Sequence, residues 1–335
     1  MALATVVETR GSTYSKAGAQ MLIDENGIFQ GMLSGGCLEG DLAIRAQQVI
    51  ETDTPQLITY DLAEDNDELW GLGVGCDGLM KVLLQPLAAA SNYEPFATIL
   101  VALDGDAPAV VSTVLESSIA STPAGTALVL INGDAREFGV AADLSSMIVD
   151  GAAKSLNSGE TQSECITLAE GEVLVLHSIT RPAPRIIVLG GGLDAEPLVQ
   201  FADELGWKCT VVDHRPAYLE KGDFSAAERT ICCAVDDLPT KVELTTFDAA
   251  VVMSHHLASD RAYLEHLGAT EIAYVGLLGP AGRRDRLLAE LGDSGKELDG
   301  RLSGPAGLDI GGRGPAAIAL SIVVEIQQSL GKVNV

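Results

Sequence analysis

Two single cysteines stand in glycine-rich settings near the amino end: Cys37 within Leu33–Glu39 (LSGGCLE) and Cys76 within Trp70–Gly78 (WGLGVGCDG). A thiolate is a soft ligand for a transition metal and a good nucleophile. Glycines beside it let backbone N–H groups come close to an anion. Ser34, Gly35 and Gly36 read as the opening of a helix that runs to about Glu51, with Ser34 as N-cap and Cys37 in the first turn. Bare amides there would hold an anion, and the helix terminus would favour the thiolate. The same residues also describe a tight turn around a small buried cysteine, and the two loops also read as unrelated turns. Composition does not choose between these readings.

A second constellation follows a short apolar run, Arg185–Leu189. Gly190, Gly192 and Ala195 fit G-x-G-x-x-[GA], an apolar pattern at helical spacing follows, and Thr210–Val212 is a second apolar run ending in Asp213. Strand, glycine turn, helix, strand and acid make a dinucleotide fingerprint: the glycines admit a pyrophosphate and Asp213 would hold ribose hydroxyls. Asp194 opposes that use, because it puts a carboxylate where the pyrophosphate would lie. His255 ends the run Asp248–Met253 at the sheet edge where ligands bind in such folds, as an acid–base group or a capping histidine. Arg283, with Arg284 and Arg286, forms the densest basic cluster, suited to a phosphate or to a solvated helix face.

Positioning these residues calls for two domains. Residues 1–182 read as an α+β domain: strands at Ala2–Glu8, Gln56–Tyr60 and Leu79–Leu87, hairpins near Asn26-Gly27 and Glu170-Gly171, and helices from Leu33 and at Leu144–Leu156. Phe96–Leu103 suits helix or strand. Thr180–Pro184 (TRPAP) is the linker, and residues 183–335 read as a Rossmann-like domain with a parallel sheet and a closing helix from Pro315. A chain that enters directly into a strand suggests that a helix of the parent protein precedes it.

The net charge of −26 excludes nucleic acid and anionic membranes as general partners. No apolar run suits a membrane span and the first residues lack a signal peptide's basic start, so a cytoplasmic setting is expected. Six cysteines without a C-x-x-C pair argue for free thiols rather than a structural zinc site.

Several stretches together resemble the XdhC/CoxI family, accessory and maturation proteins of xanthine and carbon-monoxide dehydrogenases. They are Thr5–Gly18, Leu33–Gly40, the loop at Cys76, Val188–Ala195, Val211–Pro216, Val275–Arg284 and Gly304–Ile310. The resemblance implies binding of molybdenum cofactor, help with its sulfuration by a cysteine desulfurase, and transfer to an apo molybdenum hydroxylase. It also implies a homodimer. Mapped here, it points to Ser34, Gly35, Gly36, Cys37, Glu39 and Cys76 as cofactor-binding, where either Gly35 and Gly36 take the phosphate or Cys37 is the metal ligand, and to Gly190, Gly192, Asp213, His255 and Arg283 in the second domain. Three departures bear on affinity and partner surface: His256 where many relatives have an acid, a loop after Gly11 with Lys16 as its one basic residue, and a glycine-rich Gly311–Gly314. Two other readings stand beside it: an NAD(P)-dependent oxidoreductase with His255 as proton donor, and an acidic scaffold without bound cofactor.

Overall fold

A computed structural model describes residues 1–61 and 78–333; Cys76 and its glycine-rich surroundings lie outside the described residues. The chain divides into two units, Met1–Pro182 and Ala183–Val335.

The first unit holds two five-stranded antiparallel sheets. One comprises β1 (Ala2–Gly11), β2 (Gln20–Ile23), β3 (Phe29–Gln30), β4 (Gln56–Asp61) and β5 (Gly78–Pro86) in the order β3-β2-β1-β5-β4. Helix α1 (Glu39–Thr52) covers its outer face. Leu42, Ala46 and Val49 recur at helical spacing and bury against Val6, Met80 and Val82. Asp53 ends the helix in the left-handed conformation. After helix α2 (Phe96–Asp104), the chain builds β6 (Ala109–Ser117), β7 (Ala127–Ile131), β8 (Asp134–Phe138), α3 (Ala142–Ser158), β9 (Gln162–Leu168) and β10 (Gly171–Thr180). Their sheet order is β8-β7-β6-β10-β9. The ambiguous Phe96 segment is helical. The polar strand β8 is not evident from its own sequence, DAREF. It forms because Asn132 and Gly133, both at positive φ, turn it back along β7.

The two sheets repeat one topology, strand by strand, with a helix in the same place. The correspondence reaches the hydrogen bonds. The Val6 amide donates to the Ala19 carbonyl and the Gly18 amide donates to the Val6 carbonyl; Val114, Thr126 and Gly125 repeat the pattern. Gly18 and Gly125 both have positive φ, 94° and 89°. The ladders skip Val7 in one sheet and Leu115 in the other, a bulge at the same position. The inner faces meet through Val7 and Leu83 of one sheet and Leu115 and Leu176 of the other.

In the second unit six parallel strands lie in the order β13-β12-β11-β14-β15-β16. These are β11 (Arg185–Leu189), β12 (Lys208–Asp213), β13 (Arg229–Cys232), β14 (Ala249–Val252), β15 (Tyr274–Leu277) and β16 (Leu302–Ser303). Successive residues of β11 feed opposite cores: Ile186 and Val188 pack toward α4 (Glu196–Glu204) and the closing helix, while Ile187 and Leu189 face the other layer. Burial on both faces explains the continuous apolar runs. The order reverses between β11 and β14, the topological switch point of a Rossmann-like sheet. The expected architecture, an α+β part followed by a Rossmann-like part, is the one observed. No described helix is long and apolar enough to cross a membrane.

Candidate functional site

Three connections emerge at one end of the first sheet. The loop after Gly11 follows β1. The stretch 31–38 follows β3, whose Gln30 pairs with Leu22. The connection between Asp61 and Gly78, which contains Cys76, starts and ends here, because Asp61 and Arg10 both pair with Leu79. In the second sheet the two equivalent connections are short, residues 139–141 and 169–170. The two longer connections, which carry Cys37 and Cys76 in sequence, therefore belong to the first copy alone.

The loop before α1 is folded around Glu39, which is 2% exposed. One carboxylate oxygen accepts the amides of Leu33 (2.8 Å) and Ser34 (2.7 Å). The other accepts the Ser34 hydroxyl and the Gly36 amide (3.0 Å). Ser34 Oγ in turn accepts the Leu38 amide at 2.7 Å. Burial raises the cost of the Glu39 charge, but the Ser34 hydroxyl and the loop amides outweigh it and hold the carboxyl below its usual range. Gly35 and Gly36, at φ 78° and 109°, provide the left-handed turns that aim these amides inward.

This corrects the expected anion cradle. The helix begins at Glu39, not at Ser34, so Cys37 precedes the first turn and Ser34 is not its N-cap. The amides of Ser34 and Gly36 already serve the chain's own carboxylate, and Glu39 faces the loop rather than a guest. Cys37 remains as a free, half-buried thiol packed beside the core under α1. Tyr14 (66% exposed) lays its ring against Gly35, and Met32 is 49% exposed nearby in the chain. Arg10 and Lys81 both pair with Glu8, whereas Lys16 is exposed. The thiol of Cys37 thus sits beside a loop held fixed by Glu39, while Lys16 lies on the separate loop after β1.

In the second unit the fingerprint glycines serve packing. A side chain on Gly190 would meet the carbonyl of Met253 at 2.5 Å, and Gly190 has φ 131°. A side chain on Gly192 would meet Asp194 Oδ1 at 2.5 Å. The helix that follows the glycine turn begins at Glu196, which leaves Asp194 in the turn. There its carboxylate lies 2.7 Å from His255 Nε2, bridging the ends of β11 and β14. His255 itself is left-handed, φ 60°.

Asp213 is fully buried. One oxygen accepts the amide and Nε–H of Arg215 (2.8 and 2.9 Å), and the other accepts the Gly191 amide and an Arg215 guanidinium N–H (both 2.8 Å). Four donors fill both oxygens, so none is left for a ribose. Burial opposes the charge, yet Arg215 and these amides keep the carboxyl below its ordinary range. The Arg215 guanidinium also sits 3.6 Å from the Tyr218 ring centre. Arg283 is not a phosphate holder either: it pairs with Asp260, which accepts the Ser254 hydroxyl. Arg284 donates to the Gly304 carbonyl, and Arg286 pairs with Glu290. The switch-point residues thus bind one another and do not fit a dinucleotide.

Sequence reasoning singled out Asp194 and His255 separately but not their pairing, which needs two distant strand ends in register. Nor did it find the row Ser112–His177–Glu164, buried at Ser112 and His177, in which His177 Nδ1 lies 2.8 Å from Ser112 Oγ and Nε2 lies 3.1 Å from Glu164. Its members come from three neighbouring strands under α3.

Known proteins match both units. The family described as XdhC and CoxI matches residues 1–61, and the XdhC Rossmann domain matches residues 186–326. A Bacillus subtilis (strain 168) protein, described as a probable subunit of xanthine dehydrogenase, is 33% identical over 99% of this chain and 94% of its own length. The molybdenum cofactor insertion chaperone PaoD of Escherichia coli (strain K12) is 21% identical over 97% of this chain and 81% of its own. The crystal structure of a xanthine dehydrogenase from Bacillus halodurans superposes with a TM-score of 0.80 at 29% identity, covering 99% of this chain and 91% of that one.

Proposed function

The chain belongs to the XdhC and CoxI family, and from that premise we propose that it is a maturation factor for molybdenum enzymes. It binds molybdenum cofactor and passes it to an apo hydroxylase of the xanthine or carbon-monoxide dehydrogenase type. Cys37 approaches the metal as a soft thiolate, and Glu39 fixes the loop that presents it. The observation that carries this reading is the placement of the cysteine-bearing connections. They share one end of the first sheet, while the duplicate sheet closes the same two positions with tight turns. Lys16, on the neighbouring loop, is the cation available to an anionic pterin side chain. Sulfuration by a docked cysteine desulfurase, a homodimer and a cytoplasmic setting complete the proposal.

The test is the molybdenum and pterin content of protein handled without oxygen. Wild type should retain both; Cys37→Ala should retain markedly less, with unchanged melting temperature. Wild-type protein that holds neither metal nor pterin after reconstitution refutes the reading. Cys76→Ala, assayed in parallel, assigns or removes a role for the second thiol.

A further inference from the structure

Where the two sheets of the first unit face each other, their contact is apolar at one side and hollow at the other. The hollow is a cavity of about 250 Å³. At ~30 Å³ per liquid water this is room for about eight waters, well beyond a packing defect. Its walls follow the internal duplication. Thr5 and Thr113 occupy equivalent positions on β1 and β6, and Gln85 and Ser178 on β5 and β10. The glycines that follow β1 and β6 reach across in the same way: a side chain on Gly18 would meet Thr161 and Ser178, and one on Gly125 would meet Pro55. The cavity therefore lies between the two copies, with Gly125 and Pro55 closing one side of it.

Three features define what it would hold. Ser178 is 4% exposed and its hydroxyl has no hydrogen-bond partner among the described residues, a buried polar group that calls for a ligand or ordered water. Thr5, Thr113 and Gln85 are also buried and add further hydrogen-bonding groups, the Gln85 amide donating to the Gly125 carbonyl at 3.0 Å. Two carboxylates stand in the lining, Asp53 and Glu94, and among the described residues no lysine, arginine or histidine does. Glu94 uses one oxygen to accept the Thr98 amide at 3.0 Å, which leaves the other as an acceptor for a guest. Pro55, Pro86 and Pro95 supply flat apolar surface. Acceptors without cations repel phosphate and attract N–H edges, and proline faces suit a planar ring.

We propose that this cavity binds a flat, uncharged nitrogen heterocycle through an amino-pyrimidinone edge, the hydrogen-bonding face common to pterins and guanine. The remaining oxygen of Glu94 accepts an N–H of that edge, and the serine and threonine hydroxyls meet the carbonyl side. None of these residues belongs to the loop of Cys37, so the site stands or falls independently of molybdenum binding there.

Calorimetric titration of the whole chain tests it, with pterin and isocytosine as probes and pyrimidin-4-one, which lacks the amine, as control. Both probes should bind one per chain, and the control at least tenfold more weakly. Ser178→Ala should weaken both probes severalfold without lowering the melting temperature, since that hydroxyl bonds to nothing among the described residues. Glu94→Gln, which keeps an acceptor for Thr98, should weaken them at least tenfold. No saturable binding of either probe, equal binding of the control, or indifference to both substitutions overturns the proposal. Preference for pterin over isocytosine identifies a two-ring guest; equal affinity supports recognition by the edge alone.

Discussion

Replacing Glu39 by glutamine should unlock the cysteine loop while leaving its size and shape unchanged. The carboxylate accepts four hydrogen bonds, from Leu33, Ser34 (amide and hydroxyl) and Gly36. Glutamine keeps one acceptor oxygen, so two amide bonds survive as neutral ones, each weaker by about 1 kcal/mol. Its NH2 group faces the Gly36 amide, donor against donor, at about 1–3 kcal/mol for the unsatisfied pair. The Ser34 hydroxyl can turn to limit the rest. A loss of about 3 kcal/mol corresponds to a fall of roughly 6–12 °C in the melting transition for a unit of this length. If opening is local, it corresponds to about 100-fold faster exchange of the Ser34 and Gly36 amides. Hydrogen exchange and calorimetry measure both, and Cys37 should alkylate faster in the variant. Acid provides a second arm. Because the Glu39 carboxyl is held below its usual range, its stabilisation is complete above the unfolded value of about 4.3 and is lost as pH falls further. The wild-type loop should therefore release below about pH 4, and the glutamine variant should not show that step. Wild-type exchange at both amides, with a melting point within about 1 °C, refutes the reasoning.

Three further outcomes follow from the second unit and the buried histidine. NADH titrated by fluorescence should show no saturable binding. Asp213→Ala should leave that result unchanged while costing about 2–4 kcal/mol in urea unfolding, because Arg215 and the Gly191 amide lose their acceptor. Arg283→Met should cost about 3 kcal/mol by the same measurement, since Asp260 is fully buried and would keep its charge without a cation. His177 is kept below its ordinary pKa by burial, which the Glu164 carboxylate only partly offsets. Its neutral form belongs to the fold, so stability should fall as pH drops below about 6.5, where the unfolded chain binds the proton first. Between pH 7 and 5 the melting temperature of wild type should decline more than that of His177→Gln.

Some local chemistry is legible in the chain yet serves a different use from the one its residue types suggest. Ser34 and Glu39 lie five residues apart, and Asp213 and Arg215 two, so both networks are within reach of sequence reasoning. Each residue points there to an outside ligand, because a carboxylate or amide at a loop is normally free to meet one. Only burial shows otherwise: Glu39 and Asp213 point inward, where an unpaired charge would be prohibitive, and the nearest donors satisfy them. The same holds for Arg283, whose partner Asp260 lies across a strand and a helix.

The alternation of strands and helices in the second unit, and with it the Rossmann-like class, can be read from the amino acids alone. Apolar periodicity, glycine turns and proline breaks act over a few residues, and they survive translation into backbone conformation. Tertiary structure alone decided the duplication of the first unit, the cavity between its two copies, and the pairing of Asp194 with His255. Those depend on which strands lie side by side and in what register, and register is set by long-range packing of faces rather than by any neighbouring residue.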